Sequence, residues 1–308
     1  MRLRELRGVI PPIATPFAED GELDHQSLAR LTEHLIRGGV HGIFCLGSTG
    51  ECAALTDAER KTIVETVVEI NAGRVPILAG ITETSTKRAL ALGRLVVEAG
   101  ADAVVVAPPF YHMNSQGELL NYYRTLAKDL TVPIIAYHVP ALVKTPLDPT
   151  TVEVLATEGT IMALKDSGGD SNVLREYLMR TRDVPGFTVL TGMEFLVDTA
   201  IQMGAHGSVP GIGNVVPGEY VRLYELSVQG KYKEARELQE RLIKLFDICY
   251  QGSAQISGSA SALSGFKSAL RWLGVIETAK MAPPMGSLTL EEEEKVREIL
   301  VDLGFLES

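Results

Sequence analysis

The stretch Ile161-Met162-Ala163-Leu164-Lys165-Asp166-Ser167-Gly168-Gly169-Asp170 runs apolar for four residues, meets a lysine, and then turns polar and glycine-rich. A short run that is apolar at every position marks a strand covered on both faces, as the strands of a parallel sheet are. Seven more runs of this kind occur: "GVIPPIAT" from Gly8, "GIFCLG" from Gly42, "VPILAG" from Val75, "AVVVAP" from Ala103, "VPIIAY" from Val132, "FTVLTG" from Phe187 and "HGSVPG" from His206. They recur at roughly 25- to 30-residue spacing, and the segments between them carry helical periodicity. Leu28, Leu31, Leu35 and Ile36 form one such stripe; Ala89, Leu92, Leu95, Val96 and Ala99 form another. Thr56 followed by Glu59 is a capping box that starts a helix after the second run. Eight strand-helix units predict an α/β fold of the closed (β/α)8 type, the TIM barrel.

A doubly wound open sheet shows the same alternation, but its dinucleotide fingerprint is missing. Gly211 and Gly213 come after the eighth run instead of the first, and Val216 stands where a third glycine belongs. Beyond residue 225 the strands stop. Residues 231–250, 261–274 and 288–305 read as three helices, the last opened by a second capping box, Thr289 with Glu292. The expected division is a barrel over residues 1–227 and a three-helix extension over 228–308. The acidic run Glu291–Glu294 reads as the solvated first turn of that last helix.

Of the 308 residues, 45% are hydrophobic and 22% charged, the balance of a globular chain with ample core. A net charge of -10 argues against capture of nucleic acid or of an anionic membrane surface. No apolar run approaches the roughly 20 residues that a bilayer demands, and no leader-like pattern follows the basic start. The expected location is the cytoplasm. Cys45, Cys52 and Cys249 are too few and too irregular for a disulfide framework or a zinc site and read as free thiols. The six histidines show no metal-ligand spacing, so neither metal nor cofactor is expected. His112 and His138 lie near the strand ends and read as satisfied loop residues. Trp272, in an apolar helix, reads as core or as a subunit contact.

In a barrel the chemistry sits at the carboxyl ends of the strands, where the loops of all eight units meet. Those positions are Thr15, the turn Gly47-Ser48-Thr49-Gly50-Glu51, Gly80, the "APPFY" segment, Tyr137, Lys165, "TGME" and "PGIGN". Lys165 is the only lysine among them. Flanked by Ala163 and Leu164 it is partly desolvated, which favours the neutral amine that attacks a ketone and forms a Schiff base. The alternative is a lysine that snorkels to solvent or pairs with Asp166. Tyr137 ends the preceding strand and can relay protons, or it can simply pack. The 47–51 turn offers two hydroxyls and open backbone N–H groups to a carboxylate, or is merely a tight turn. It lacks the Gly-Lys-Ser/Thr ending of a phosphate loop.

Taken together, "GVIPPIATPF", "GSTGE", "PPFYH", "YHVP", the lysine of "ALKDSGGD" and the helical tail resemble the dihydrodipicolinate synthase and N-acetylneuraminate lyase family of class I pyruvate-dependent aldolases. The resemblance spans essentially the whole chain. It implies that Lys165 forms an imine with the keto carbon of pyruvate, that Tyr137 is the general acid/base, and that Gly47, Ser48 and Thr49 hold the carboxylate. Ser167, Gly192, Glu194 and Gly211 are implied to line the substrate site, and Tyr111 to serve a neighbouring subunit's proton relay in a homotetramer. No cofactor is implied.

Three departures bear on the branch. The synthases carry an arginine where this chain has Leu142, and an apolar side chain cannot clamp a second carboxylate, although Lys144 stands nearby. The sialic-acid lyases carry two acidic residues where this chain has Glu194 and Phe195, and a serine near Gly211. The resemblance is therefore nearest to members that handle 2-keto-3-deoxy sugar acids, and the expected reaction is cleavage or formation of a 2-keto-4-hydroxy acid from pyruvate and an aldehyde. The alternatives are an N-acetylneuraminate lyase, a 4-hydroxy-tetrahydrodipicolinate (dihydrodipicolinate) synthase, a deoxy-keto sugar acid dehydratase and, outside enzymes, a keto-acid sensor.

Overall fold

A computed structural model describes residues 6–307 of the chain. Residues 1–5, on which part of the leader expectation falls, lie outside the described residues, as does Ser308. The strands are β1 (Gly8–Val9), β2 (Ile43–Cys45), β3 (Ile77–Gly80), β4 (Ala103–Val106), β5 (Ile134–His138), β6 (Ala163–Asp166), β7 (Thr188–Thr191) and β8 (Gly207–Ser208). Each falls within one of the eight apolar runs or one residue beyond it. All pair in parallel with their sequence neighbours, and β8 returns to pair with β1. The remaining seam, between β1 and β2, is closed by a bridge from Pro12 to Phe44, with Ile13 N donating to Phe44 O at 2.9 Å and Phe44 N to Pro11 O at 3.0 Å. The sheet is thus the closed (β/α)8 barrel that the sequence predicts.

Its outer layer is α1 (His25–Arg37), α2 (Asp57–Asn71), α3 (Thr86–Glu98), α4 (Gln116–Asp129), a single turn α5 (Pro140–Val143), α6 (Pro149–Thr157), α7 (Ser171–Arg180), α8 (Val197–Gln202) and α9 (Pro217–Val228). Three more helices follow: α10 (Tyr232–Leu245), α11 (Gly258–Trp272) and α12 (Leu290–Asp302). Both expected capping boxes form, Thr56 with Glu59 on α2 and Thr289 with Glu292 on α12. A third, Ser115 with Glu118, opens α4. α11 begins earlier than its apolar pattern suggests, because the Ser257 hydroxyl caps it by accepting from Ala260 N at 3.1 Å.

The acidic run on α12 corrects an expectation. Glu291 and Glu294 are exposed, but Glu292 and Glu293 are buried. Glu292 accepts from Ser253 N at 2.7 Å, and Glu293 pairs with Arg271 at 2.5 Å. Half of the run is therefore tied to α11 and the connection before it instead of facing solvent.

Strand alternation sorts the side chains into two cores. Phe44, Leu78, Ala103, Val105, Ile135, Ala163 and Leu190 pack inside the barrel. Their neighbours Ile43, Ile77, Val104, Ala136, Leu164 and Val189 pack outward against the helices, in a core that continues into the extension through Leu242, Phe266 and Leu300. Gln239 of α10 locks the two together: its Oε1 accepts from Val197 N at 3.0 Å and its Nε2 donates to Glu194 O at 2.9 Å. No described helix is long and apolar enough to cross a membrane.

Candidate active site

The alternation that sends Ala163 inward and Leu164 outward also sends Lys165 inward, at the carboxyl end of β6. Ile135 and Tyr137 follow the same rule on β5, and the register pairs Tyr137 directly with Lys165. Both residues are buried, Lys165 at 5% exposure and Tyr137 at 7%. The Lys165 Nζ lies 4.0 Å from the centroid of the Tyr137 ring and 4.9 Å from that of Phe44. Aromatic faces hold an ammonium without fixing it by a counter-ion, so the amine keeps its freedom to react. Lys165 makes no ion pair with Asp166. The next residue on a strand faces the opposite side, and Asp166 is buried behind the sheet, where its Oδ1 accepts from Gly168 N at 3.0 Å. Burial pushes the Asp166 carboxyl up to about 6.

The 47–51 turn at the end of β2 is closed by Gly50 N to Gly47 O at 3.0 Å and Glu51 N to Ser48 O at 3.1 Å. The Thr15 hydroxyl, at the end of the first strand run, donates to Gly50 O at 2.7 Å. Ser48 and Thr49 are half-buried, and neither hydroxyl bonds to another described residue. Two unengaged hydroxyls on a fixed turn are what an incoming carboxylate needs. Arg60 steadies the chain just beyond, donating to Cys52 O at 2.8 Å while its guanidinium pairs with Glu83 at 2.7 Å.

Ser167 and Gly192 adjoin: a Cβ on Gly192 would stand 2.1 Å from the Ser167 hydroxyl oxygen, so a side chain there would turn that hydroxyl aside. Gly192 N donates to Asp166 O at 2.6 Å, carrying the β7 end over to β6. Glu194 is already engaged. Its Oε1 accepts from Ile212 N at 2.9 Å and from the Tyr220 hydroxyl at 3.2 Å, and burial pushes its carboxyl up to about 7. Gly211 packs beside it: a Cβ there would meet Glu194 Oε2 at 3.1 Å and Phe266 at 3.0 Å. The fold thus gathers these four residues at one end of β6–β8, with Glu194 turned to the loop after β8.

Tyr111 is placed differently. It is 85% exposed, with a φ of 83°, and among the described residues its ring meets that of His112, edge to face at 5.1 Å. Met113 is 73% and Leu142 55% exposed near it in sequence and at the following strand end. His138 is a satisfied residue, its Nδ1 accepting from Leu147 N at 3.1 Å. Burial pushes its ring down to about 4.

Sequence reasoning missed three contributors. Phe44 forms the second aromatic wall beside Lys165. Asn214, fully buried, stitches the β8 loop to β1: its Nδ2 donates to Pro12 O and to Gly211 O, both at 2.8 Å, and its Oδ1 accepts from Ala14 N at 3.0 Å. Lys267 of α11 is buried against Glu51. A polar residue inside an apolar run was the available signal for the last two.

Comparison with known proteins agrees with this geometry. The Dihydrodipicolinate synthetase family matches residues 5–303. The 4-hydroxy-tetrahydrodipicolinate synthase of Thermus thermophilus is 33% identical over 303 residues, covering 97% of each chain. Among solved structures, the dihydrodipicolinate synthase of Bacteroides thetaiotaomicron superposes with a TM-score of 0.91 at 35% identity, covering 96% of this chain and 98% of its own. The E. coli K12 prophage protein YagE, solved with pyruvate, gives 0.90 at 30% identity, covering 97% and 99%. These curated relatives carry the synthase name, whereas the sequence reading placed the chain nearest to the deoxy-keto sugar acid members. With a barrel matched from end to end and an inward lysine paired with an inward tyrosine, the chain belongs to the dihydrodipicolinate synthetase family.

Proposed function

We propose that the chain is a pyruvate-dependent class I lyase. The Lys165 amine adds to the ketone carbon, water leaves, and an iminium forms. In the cleavage direction Tyr137 takes the proton of the 4-hydroxyl, the C3–C4 bond breaks, and its electron pair moves to the iminium as an enamine. The aldehyde departs. The enamine then takes a proton at C3, and water returns pyruvate and the free amine. Condensation is the same path reversed. The observation that carries the reading is the paired placement of Lys165 and Tyr137, 4.0 Å from amine to ring centre, at the end of the apolar barrel interior.

Ser48, Thr49 and the Gly47 turn are the proposed carboxylate cradle, and Ser167, Gly192, Glu194 and Gly211 the lining for the rest of the substrate. For the partner we favour a hydroxylated aldehyde, because Leu142 offers no charge to a second carboxylate. The curated relatives support a second reading, the synthase that condenses pyruvate with aspartate semialdehyde. Their names weigh toward that reading; the chemistry of Leu142 weighs toward the first. A homotetramer belongs to the proposal as well, supported by exposed apolar Tyr111, Met113 and Leu142. Sedimentation that gives a monomer would remove Tyr111 from any shared relay.

One panel separates the readings: 4-hydroxy-2-oxo acids assayed for pyruvate release, alongside pyruvate with aspartate semialdehyde assayed for cyclised product. Pyruvate release from a deoxy-keto sugar acid, with little cyclised product, is expected. Robust cyclisation installs the synthase reading, and loss of water with the carbon skeleton intact installs a dehydratase. Binding of pyruvate without turnover leaves a sensor.

A further inference from the structure

Outside the proposed site, the most enclosed ion pair among the described residues is Glu51 with Lys267. Both residues are buried, at 2% and 1% exposure. Glu51 ends the turn that carries Ser48 and Thr49, and its backbone is left-handed, with a φ of 56°, a conformation a glutamate adopts only when its surroundings hold it there. Its side chain points away from the turn. Oε2 accepts from Ala282 N at 2.7 Å, and Oε1 meets the Lys267 ammonium in a close ion pair. Lys267 in turn donates to Lys280 O at 2.7 Å and lies 4.5 Å from the centroid of the Phe17 ring. The pair is therefore held between α11, the 280–282 segment and the first barrel loop. Lys267 reaches neither Lys165 nor the hydroxyls of the cradle.

We propose that Lys267 is a positioning residue for the keto acid's carboxylate: its ion pair with Glu51 fixes the 47–51 turn, so that α11 sets the grip of Ser48 and Thr49. The inference rests on the Schiff-base reading given above. Removing one member of a buried pair strands the other charge, so the turn loses its anchor and not merely a contact. Burial also pushes the Lys267 ammonium down to about 8, against the opposing pull of Glu51. Glu51 is the one titratable group facing it among the described residues; its other neighbours are a backbone carbonyl and an aromatic ring. The anchor is whole below about pH 8 and weakens above it.

The test uses borohydride trapping of pyruvate, read by intact mass across a pyruvate titration, on wild-type protein, Glu51→Gln and Lys267→Met. Glu51→Gln keeps an acceptor for Ala282 N and gives a milder change than Lys267→Met. The expected half-saturating pyruvate at pH 7 rises about ten-fold in both variants, with the trapped fraction at saturation unchanged, the signature of lost ground-state binding. The ratio of variant to wild type should fall toward one by about pH 9.5, because the wild type then loses the ion pair that both variants lack. Any pH effect common to the three proteins cancels in the ratio. A ratio near one at pH 7, or a raised ratio that stays constant with pH, overturns the inference while leaving the imine intact. Failure of wild-type protein to trap pyruvate overturns the Schiff-base reading and the inference with it.

Discussion

Lys165 and Asp166 are adjacent in sequence and face opposite sides of β6, so the first is placed for the proposed chemistry and the second bears the cost of burial. Tyr137→Phe keeps the ring under the amine and removes the proton, and should lower turnover by about 10²- to 10⁴-fold with the fold unchanged by circular dichroism. Near-normal turnover would take Tyr137 out of the mechanism. Lys165→Ala should abolish borohydride labelling by pyruvate altogether; label on another lysine, with activity retained, would end the Schiff-base assignment. Asp166 tests the outward side. Its folded carboxyl keeps its proton to about pH 6 against an ordinary 3.8, so its stabilisation is whole below about pH 4 and is lost as pH rises through 6. That loss is about 3 kcal/mol. His138 acts in the opposite sense over the same range, since its buried ring resists the proton that the unfolded chain takes up near pH 6.5. The Asp166 contribution is therefore read as a difference: Asp166→Asn should gain on wild type by up to about 3 kcal/mol between pH 4 and 7.5 in urea unfolding. A difference that stays flat with pH would contradict the assignment. Lys165 and Tyr137 were legible in the sequence because a polar residue closing an apolar run stands out. Phe44 was not, since nothing in an apolar run says which of its members faces in until the register is known.

At the scale of elements, the two starts marked by Thr-x-x-Glu capping boxes, those of α2 and α12, were readable, whereas α11, capped by the Ser257 hydroxyl alone, drifted. Thr56 and Glu59 satisfy each other's backbone donors at the start of α2, with Thr56 N to Glu59 Oε2 at 2.7 Å. Thr56→Ala should cost about 1 kcal/mol in chemical denaturation. No loss would mean that tertiary packing alone holds that end. α11 started before its apolar stripe because Ser257 caps a turn made of small residues, Gly258 to Ala260, which has no periodicity to read. Glu292 and Glu293 looked solvated because their partners, Ser253 and Arg271, belong to other segments. A charge run declares a helix start; which of its members is buried depends on what packs across it. The 47–51 turn was recognisable for a related reason, its glycines and hydroxyls being local, while the ion pair of Glu51 with Lys267 is not.

At the scale of the whole molecule, the carboxyl quarter is tied to the barrel at several points. A chain ending after Val228 loses the Gln239 clamp on Val197 and Glu194, the Lys267 partner of Glu51, and the cover of Leu242, Phe266 and Leu300 over the outer core. Such a chain should fail to give soluble, cooperatively melting protein; a stable truncated barrel would show that the extension is dispensable to folding. The eight-fold repeat was legible because each strand-helix unit is local, whereas closure is not. β1 and β8 have two residues each, and Asn214 reaches Ala14 across 200 positions of chain. Synthesis runs from the amino terminus at about 5–20 residues per second, so the first strand waits about 10–40 s for the partner that completes the ring. Throughout that interval the nascent chain carries an unpaired sheet edge at β1, where a molecular chaperone has a long opportunity to engage it.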